Sequence, residues 1–130
     1  LGIDVDLSNM EWKVLLKKQH AKDYQISRMA WIGDYLDPMT FLDLWEGDNS
    51  NNRTGWRDPK YDALMAKIRV EPDAKRRFAL LREAEQIFNE QAPAMPIYFY
   101  VKHDLVKPWV KGYQAHLQGV HASRFFRVEL

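Results

Sequence analysis

Two short segments with alternating apolar residues, separated by an amphipathic stretch, constrain the fold of this chain most strongly. Residues 2–7 alternate apolar and acidic side chains, which is the period-two pattern of a β-strand. Ser8 and Glu11 then form a predicted capping box, and residues 12–19 place apolar side chains on one helical face. Residues 24–31 return to a strand pattern. A strand, a helix and a strand over about thirty residues predict a βαβ unit with parallel strands, and hence an α/β fold.

Three further helices are predicted in the middle of the chain. Proline-containing positions at 38, 58–59 and 72–73 mark their starts, a polar loop over residues 47–55 separates the first two, and Pro93 and Pro96 end the last. Their expected inward side chains are apolar: Phe41, Leu42 and Trp45 in the first, Tyr61, Leu64, Met65 and Ile68 in the second, and Phe78, Leu81, Ile87 and Phe88 in the third.

The composition of the sequence changes after these helices. Residues 95–101 (MPIYFYV) predict a buried strand, and residues 123–130 predict a final one. Between them the chain is interrupted at short intervals by Pro108, Gly112 and Gly119, which favour turns. The composition shift near Lys102 is the one candidate domain boundary.

Charge and composition narrow the possible functions. The chain carries 19 basic and 18 acidic side chains, so its formal net charge of +1 gives no electrostatic argument for nucleic acid or an anionic membrane. Without cysteine there are no disulfides, thiolate metal sites or cysteine nucleophile. No apolar run approaches the roughly 20 residues of a membrane helix. The first residues indicate a strand rather than a signal peptide, so we expect the start of an exported protein to lie upstream.

Residues 28–38 (RMAWIGDYLDP) hold the candidate ligand site. They leave the second predicted strand at its carboxyl end, where α/β folds place their ligands. Asp34 is a lone carboxylate suited to an ammonium group, and Arg28 offers a planar fork to a carboxylate. The alternative is that Asp34 caps the turn or the helix at Pro38, while Arg28 makes a surface ion pair.

Catalysis and metal binding have weaker support. Asp34 and Asp37 are readable as the acid and base of a hydrolase, but two carboxylates three residues apart beside a proline are more often turn and cap residues. The four histidines show no metal-binding spacing, and we predict no catalytic residue, metal or cofactor. The basic run at residues 75–77 is balanced by acids along the same helix, which predicts a solvated face.

Seven short motifs then occur in a specific order and spacing. They are NMEWK (9–13), RMAWIGDY (28–35), SNN (50–52), DPKYD (58–62), REAE (82–85), PIYFYV (96–101) and LVKPWV (105–110). Together they resemble the carboxy-terminal third or so of the dipeptide and oligopeptide solute-binding proteins of ABC importers, the family-5 bacterial extracellular solute-binding proteins.

The resemblance implies the carboxy-terminal part of a two-lobed fold, of the type II-like periplasmic-binding-protein kind, that closes on an extended peptide. Residues 1–101 are then part of the second large, ligand-binding lobe. Residues 102–130 cross the hinge and return to the first lobe, which gives the composition shift near Lys102 a cause.

The resemblance also implies roles for charged residues. Asp34 matches the carboxylate that holds the α-ammonium group of the peptide, and Arg28 matches a basic residue near the ligand carboxylate or side chains. Gln19 stands where a basic side chain that helps with the ligand carboxylate is expected. Phe99 stands where a tyrosine is common, which removes one hydroxyl from the cleft.

The remaining implied site residues are main-chain and aromatic positions. The backbone of Ala30, Trp31 and Ile32 matches the strand that pairs with the peptide main chain, so that affinity does not require a particular peptide sequence. The side chains of Trp12, Trp31 and Tyr100 match the walls of roomy side-chain pockets.

The function implied is capture of oligopeptides and their delivery to the membrane subunits of an ABC permease, without catalysis. The expected location is the periplasm, or a lipid anchor at the outer face of the cytoplasmic membrane. The alternatives are another solute on the same scaffold (a murein peptide, a nickel complex, haem or an oligosaccharide) and, remotely, the Asp34/Asp37 hydrolase. Unpaired strand edges also predict self-association of the 130-residue chain, and half a groove predicts weak or no peptide binding by it alone.

Overall fold

The computed structural model describes residues 2–116 and 118–129. Within them the chain forms four α-helices and two short strands: α1 (Trp12–Ala21), α2 (Met39–Leu42), α3 (Pro59–Val70), α4 (Ala74–Gln91), β1 (Val110–Lys111) and β2 (Arg127–Val128). One 3-10 turn follows α2 at Asp43–Trp45, and another precedes β2 at Ser123–Phe125. No helix in this part of the chain has the length and apolar character needed to cross a bilayer.

The core lies between α3 and α4, with α2 packed against α4. The predicted inward face of α3 is confirmed, since all four of its expected side chains are buried: Tyr61, Leu64, Met65 and Ile68. In α4 the buried stripe consists of Leu81, Ala84 and Phe88. Phe78, predicted to face inward, is 54% exposed. It lies about a quarter of a helical turn away from the centre of that stripe, and this offset explains the wrong prediction.

Aspartates at the helix starts confirm the predicted beginnings of α3 and α4. The carboxylate of Asp58 accepts hydrogen bonds from the main-chain N–H groups at the start of α3, and that of Asp73 does the same for α4. The capping box predicted for α1 is wrong. Glu11 is itself the N-cap, since its carboxylate accepts from Lys13 N at 2.8 Å and Val14 N at 3.2 Å.

Three of the predicted strands are extended or bent chain without a hydrogen-bonded partner strand among the described residues: residues 2–7, 24–31 and 95–101. The βαβ ladder predicted from them is therefore not formed within this part of the chain. Period-two patterning favours an extended backbone, but a strand also needs a second backbone beside it. Leu7 is 96% exposed and Phe99 is 98% exposed, so residues 2–7 and residues 95–101 do not lie in a core.

The sheet that the described residues form is an antiparallel pair in which Val110 faces Val128 and Lys111 faces Arg127. The predicted final strand is thus shortened to Arg127–Val128. Leu1, the first residue of the predicted ligand-binding lobe, and Leu130, the last residue of the predicted final strand and return segment, lie outside the described residues.

The extended segments leave an unusually large surface. The accessible surface of the chain is 11133 Å². A compact monomer of this mass, 15.4 kDa, exposes roughly 7,200 Å², so roughly 4,000 Å² lies beyond what a self-contained domain shows. The helical core is packed, while the extended segments are not covered by this chain.

Tyr61 provides a test of the core. Its side chain is fully buried, and its hydroxyl donates to the carbonyl oxygen of Leu42 at 2.6 Å, which ties the α2 turn to α3. We expect Tyr61→Phe to lower the free energy of unfolding by about 1 kcal/mol, because the carbonyl loses its partner in a buried setting. Urea denaturation measures this. Tyr35→Phe, which removes an exposed hydroxyl bonded to Asp43, is the control, and equal losses in the two variants would contradict the prediction.

Candidate functional site

Gln19 fixes the start of the candidate site to α1. Its side chain is buried, and its amide nitrogen donates to Ser27 Oγ at 2.8 Å and to the carbonyl oxygen of Arg28 at 3.1 Å. Its amide oxygen accepts from Arg53 Nη1 at 2.5 Å. Gln19, the position where the family resemblance led us to expect a basic side chain, thus holds three stretches of chain together.

Arg28 and Tyr100, two of the predicted site residues, lie together. A terminal guanidinium nitrogen of Arg28 donates to the hydroxyl of Tyr98 at 3.0 Å and to that of Tyr100, and the guanidinium carbon lies 6.0 Å from the centre of the Tyr100 ring. The hydrogen bonds to Tyr98 and Tyr100 raise the pKa of Arg28. The neighbours Tyr100 and Arg28 lower the pKa of Tyr98. The ion pairs of the described residues do not include Arg28, so its charge is available to a ligand.

Tyr98 belongs to this cluster, and the sequence-based prediction missed it. The signal was present in the alternation of residues 95–101, because an extended backbone directs every second side chain to the same side. Tyr98 and Tyr100 lie on that side, with ring centres 5.0 Å apart. The pattern predicts a buried strand, but the structure shows these side chains beside an arginine at the surface.

Asp34 has a fixed backbone and an exposed side chain. Its N–H donates to Thr40 Oγ1 at 3.0 Å, and its carbonyl oxygen accepts from the side-chain amide of Gln118. Gly33 permits the close approach of this turn to α2, since a Cβ there would lie 3.0 Å from Thr40 Cγ2 and 3.2 Å from the Phe41 ring. The turn therefore presents the Asp34 carboxylate at the surface from a defined position.

Asp37, rather than Asp34, has the structural role at the start of α2. Its carboxylate accepts the N–H of Met39 at 2.9 Å and two hydrogen bonds from Arg77, at 2.7 and 2.9 Å. These contacts, that of Arg77 foremost, hold the pKa of Asp37 below its usual value. A carboxylate kept ionised in this way is a poor general acid, which disfavours an Asp34/Asp37 hydrolase. Arg77, predicted on a solvated face within residues 75–77, instead joins α4 to the site.

The other predicted site residues lie along the same exposed segment or on α1. Ala30 and Ile32 are exposed, and Trp31 is half-buried, with its indole N–H shielded and without an acceptor among the described residues. The main chain of these three residues makes no hydrogen bond to other backbone in residues 2–116 and 118–129. Trp12 stands on the first turn of α1 and is 64% exposed. Ring contacts in that part of the chain do not link it to Tyr100.

Metal chemistry has no geometric support in the part of the chain that the structure describes. Its histidine, aspartate and glutamate side chains form no group of three or more that is arranged to hold an ion. His121 instead stacks near Tyr113, with ring centres 4.8 Å apart, and its Nδ1 lies 3.1 Å from the carbonyl oxygen of Gln114.

Comparison with known proteins places these residues in context. The family described as bacterial extracellular solute-binding proteins, family 5 (middle region), matches residues 1–53. The dipeptide-binding protein DppE of Bacillus subtilis is 43% identical over 119 residues, which is 92% of this chain and 22% of DppE. The oligopeptide-binding protein OppA of the same organism is 48% identical over 101 residues, 77% of this chain and 18% of OppA.

Solved structures show the same course of the chain. The murein tripeptide binding protein MppA of Escherichia coli matches 98% of this chain and 25% of its own, at 39% identity and a TM-score of 0.90. OppA of Burkholderia pseudomallei matches all of this chain and 26% of its own, at 36% identity and a TM-score of 0.90. The chain thus spans about a fifth to a quarter of the length of these relatives. The likeness confirms the predicted fold class, part of a two-lobed α/β solute-binding fold.

The ion pair of Asp37 predicts a pH dependence. Its pKa is lower in the folded than in the unfolded chain, so its stabilisation is complete above the unfolded value of about 3.9 and is lost as the pH falls through the folded value. We expect Asp37→Asn to lower the free energy of unfolding by about 1 kcal/mol at pH 7, because Arg77 loses its carboxylate. The difference from the unaltered protein should shrink toward pH 3.

Urea denaturation at the two pH values measures this difference. Asp48→Asn is the matched control, because Asp48 is an almost fully exposed carboxylate that also pairs with an arginine, Arg57, at 3.0 Å. A loss for Asp37→Asn that is the same at pH 3 as at pH 7 would show that the ion pair is not its source.

Proposed function

We propose that this chain is part of a bacterial extracellular solute-binding protein of family 5, and that the protein binds oligopeptides and delivers them to the permease of an ABC importer. One observation carries the proposal. The main chain of the exposed segment around Trp31 has no backbone hydrogen bonds among the described residues, and the segment lies between the guanidinium of Arg28 and the carboxylate of Asp34.

A peptide offers the groups that complement this segment. Its amino terminus is an ammonium group that suits Asp34, and its carboxylate or acidic side chains suit the fork of Arg28. Its main chain supplies the N–H and C=O partners that the backbone of Ala30, Trp31 and Ile32 lacks among the described residues. Because these bonds involve only backbone atoms, they tolerate many peptide sequences.

The aromatic residues form the sides of the proposed groove. Trp12, Trp31 and Tyr100 supply large apolar surface with polar tips, which accepts varied peptide side chains. Trp12 and Tyr100 are largely exposed, as such walls must be before a ligand arrives. Tyr98 joins this set because it shares the Arg28 guanidinium with Tyr100.

Among solutes, the observations favour a peptide. The carboxylate of Asp34, at the end of the open segment around Trp31, is matched by an amine on the ligand. Nickel complexes, haem and oligosaccharides need not carry an amine. A murein peptide has an amine and is compatible with this chemistry, in agreement with the ligand named for MppA. A hydrolase is disfavoured by the pairing of Asp37 with Arg77, so we propose binding without catalysis.

We propose the same lobe arrangement that the resemblance implies, with residues 1–101 in the ligand-binding lobe and residues 102–130 returning to the other. Contacts within the second stretch support it as a unit. The hydroxyl of Tyr113 donates to Asp104 at 2.8 Å, and β1 pairs with β2. The protein would act outside the cytoplasmic membrane, in the periplasm or lipid-anchored at the membrane's outer face.

The role of Asp34 is tested with Asp34→Asn in the full-length protein. We expect the unaltered protein to carry co-purifying peptides in native mass spectrometry and the variant to lose them. In calorimetry with alanine peptides of two to six residues, the variant should bind about a hundredfold more weakly, because the ligand ammonium loses its counter-charge in a closed cleft.

Asp48→Asn serves as the control, since that carboxylate is exposed and bound to Arg57. Acetylating the amino terminus of the peptide should remove the difference between Asp34→Asn and the unaltered protein. An unaltered protein without peptide, or a variant with the same peptide content, would show that the ligand or its anchor is misassigned.

We also propose that the 130-residue chain by itself self-associates and binds peptide weakly or not at all. Its exposed segments at residues 2–7 and 95–101 carry apolar side chains and main-chain groups without strand partners among the described residues. Sedimentation velocity should show a mass that rises with concentration, and Phe99→Lys should reduce this rise. A single monomer mass at high concentration would contradict self-association.

A further inference from the structure

Arg53 is held firmly at the edge of the candidate site. It lies in the polar loop between α2 and α3, where the hydroxyl of Tyr24 donates to its carbonyl oxygen at 2.7 Å. Its guanidinium donates through Nη1 to the amide oxygen of Gln19. Both its main chain and its side chain are therefore fixed against the chain that runs from α1 into the site.

The charge of Arg53 has no carboxylate partner among the described residues. Three arginines of neighbouring elements have one: Arg57 with Asp48, Arg69 with Glu46 and Arg77 with Asp37. Arg53 is half-buried, and its Nε is enclosed without an acceptor in that part of the chain. An enclosed N–H without an acceptor is unfavourable, and an incoming anion beside this half-buried guanidinium would offset that cost.

Arg53 is also linked through Gln19 to the main chain of Arg28. The amide of Gln19 bridges the two, because its oxygen accepts from Arg53 while its nitrogen donates to the carbonyl oxygen of Arg28. One amide group therefore separates the Arg53 guanidinium from the main chain at which the proposed peptide strand begins.

We infer that Arg53 is a specificity-determining residue that recognises the carboxyl-terminal carboxylate of the bound peptide. This inference rests on the proposed peptide-binding function. Nη1 uses one of its hydrogens on Gln19, which leaves three N–H donors on the two terminal nitrogens. Such donors form charge-assisted hydrogen bonds with carboxylates. Arg28 then remains for another part of the ligand or shares the same carboxylate.

The alternative is a purely structural role, in which Arg53 only holds the side chain of Gln19 in place. The two roles differ in what they do to ligand preference. If Arg53 only supports Gln19, its loss would lower the affinity for free-acid peptides and for amidated peptides by the same factor. If Arg53 binds the peptide carboxylate, its loss would lower the affinity for free-acid peptides alone. The ratio of the two affinities therefore separates the roles.

The experiment compares free-acid and amidated alanine peptides of two to six residues by calorimetry, using the full-length protein and its Arg53→Gln variant. The comparison uses the peptide length that the unaltered protein prefers. For that length, we expect the ratio of free-acid to amidated affinity to be about tenfold lower in Arg53→Gln than in the unaltered protein. Arg57→Gln is the matched control. It removes a guanidinium four residues along the same chain, one already paired with Asp48, and should leave the ratio unchanged.

Gln19→Glu is a second variant that keeps Arg53 but places a carboxylate against its guanidinium, and we expect the same fall in the ratio. Melting temperatures identify which variants are folded. An unchanged ratio in either folded variant, with peptide still bound, would overturn the role of Arg53 and leave peptide binding established. Failure of the unaltered protein to bind any of these peptides would overturn the proposed function and this inference together.

Discussion

The buried amide of Gln19 is the interaction on which the arrangement of the candidate site depends. It joins α1 to the segment at Ser27 and Arg28 and to the loop at Arg53. A buried amide without partners would be costly, whereas this one uses both its nitrogen and its oxygen. The hydrogen bonds that make its burial tolerable also fix the positions of three stretches of chain that lie up to 34 residues apart in sequence.

A second anchor holds the other end of the site segment. Asp37 receives two hydrogen bonds from Arg77 and one from the main chain of Met39, so the end of the segment is joined to α4 and to the start of α2. Between the two anchors the main chain around Trp31 has no backbone partners in the described part of the chain. The segment is thus fixed at its ends and open along its length, which suits a surface that accepts a strand of varying sequence.

Sequence reasoning was reliable where structure follows from nearby residues. The start of α3 needs only Asp58 and Pro59, and its buried face follows from helical periodicity, so both were predictable. It was unreliable where a partner lies elsewhere. Residues 95–101 indicated a strand, but strand formation depends on a second backbone that the described part of the chain does not supply. For the candidate site, the exposure of the charged residues Arg28 and Asp34 agrees with the sequence-based expectation. The place of Tyr98 beside Arg28 and the hydrogen bond between Gln19 and Arg53 were not predictable, because both contacts join residues that are distant in sequence.

The short connection between α3 and α4 has a consequence for the order in which the molecule assembles. Only residues 71–73 separate the two helices, and their packing forms most of the core. Contacts close in sequence cost little chain entropy and form early, whereas the bonds from Arg28 to Tyr98 and Tyr100 must close loops of about seventy residues. Contact order therefore favours the helical hairpin as the folding nucleus, with the segment at Arg28 added later. Substitutions in this late segment are then expected to change the unfolding rate more than the folding rate.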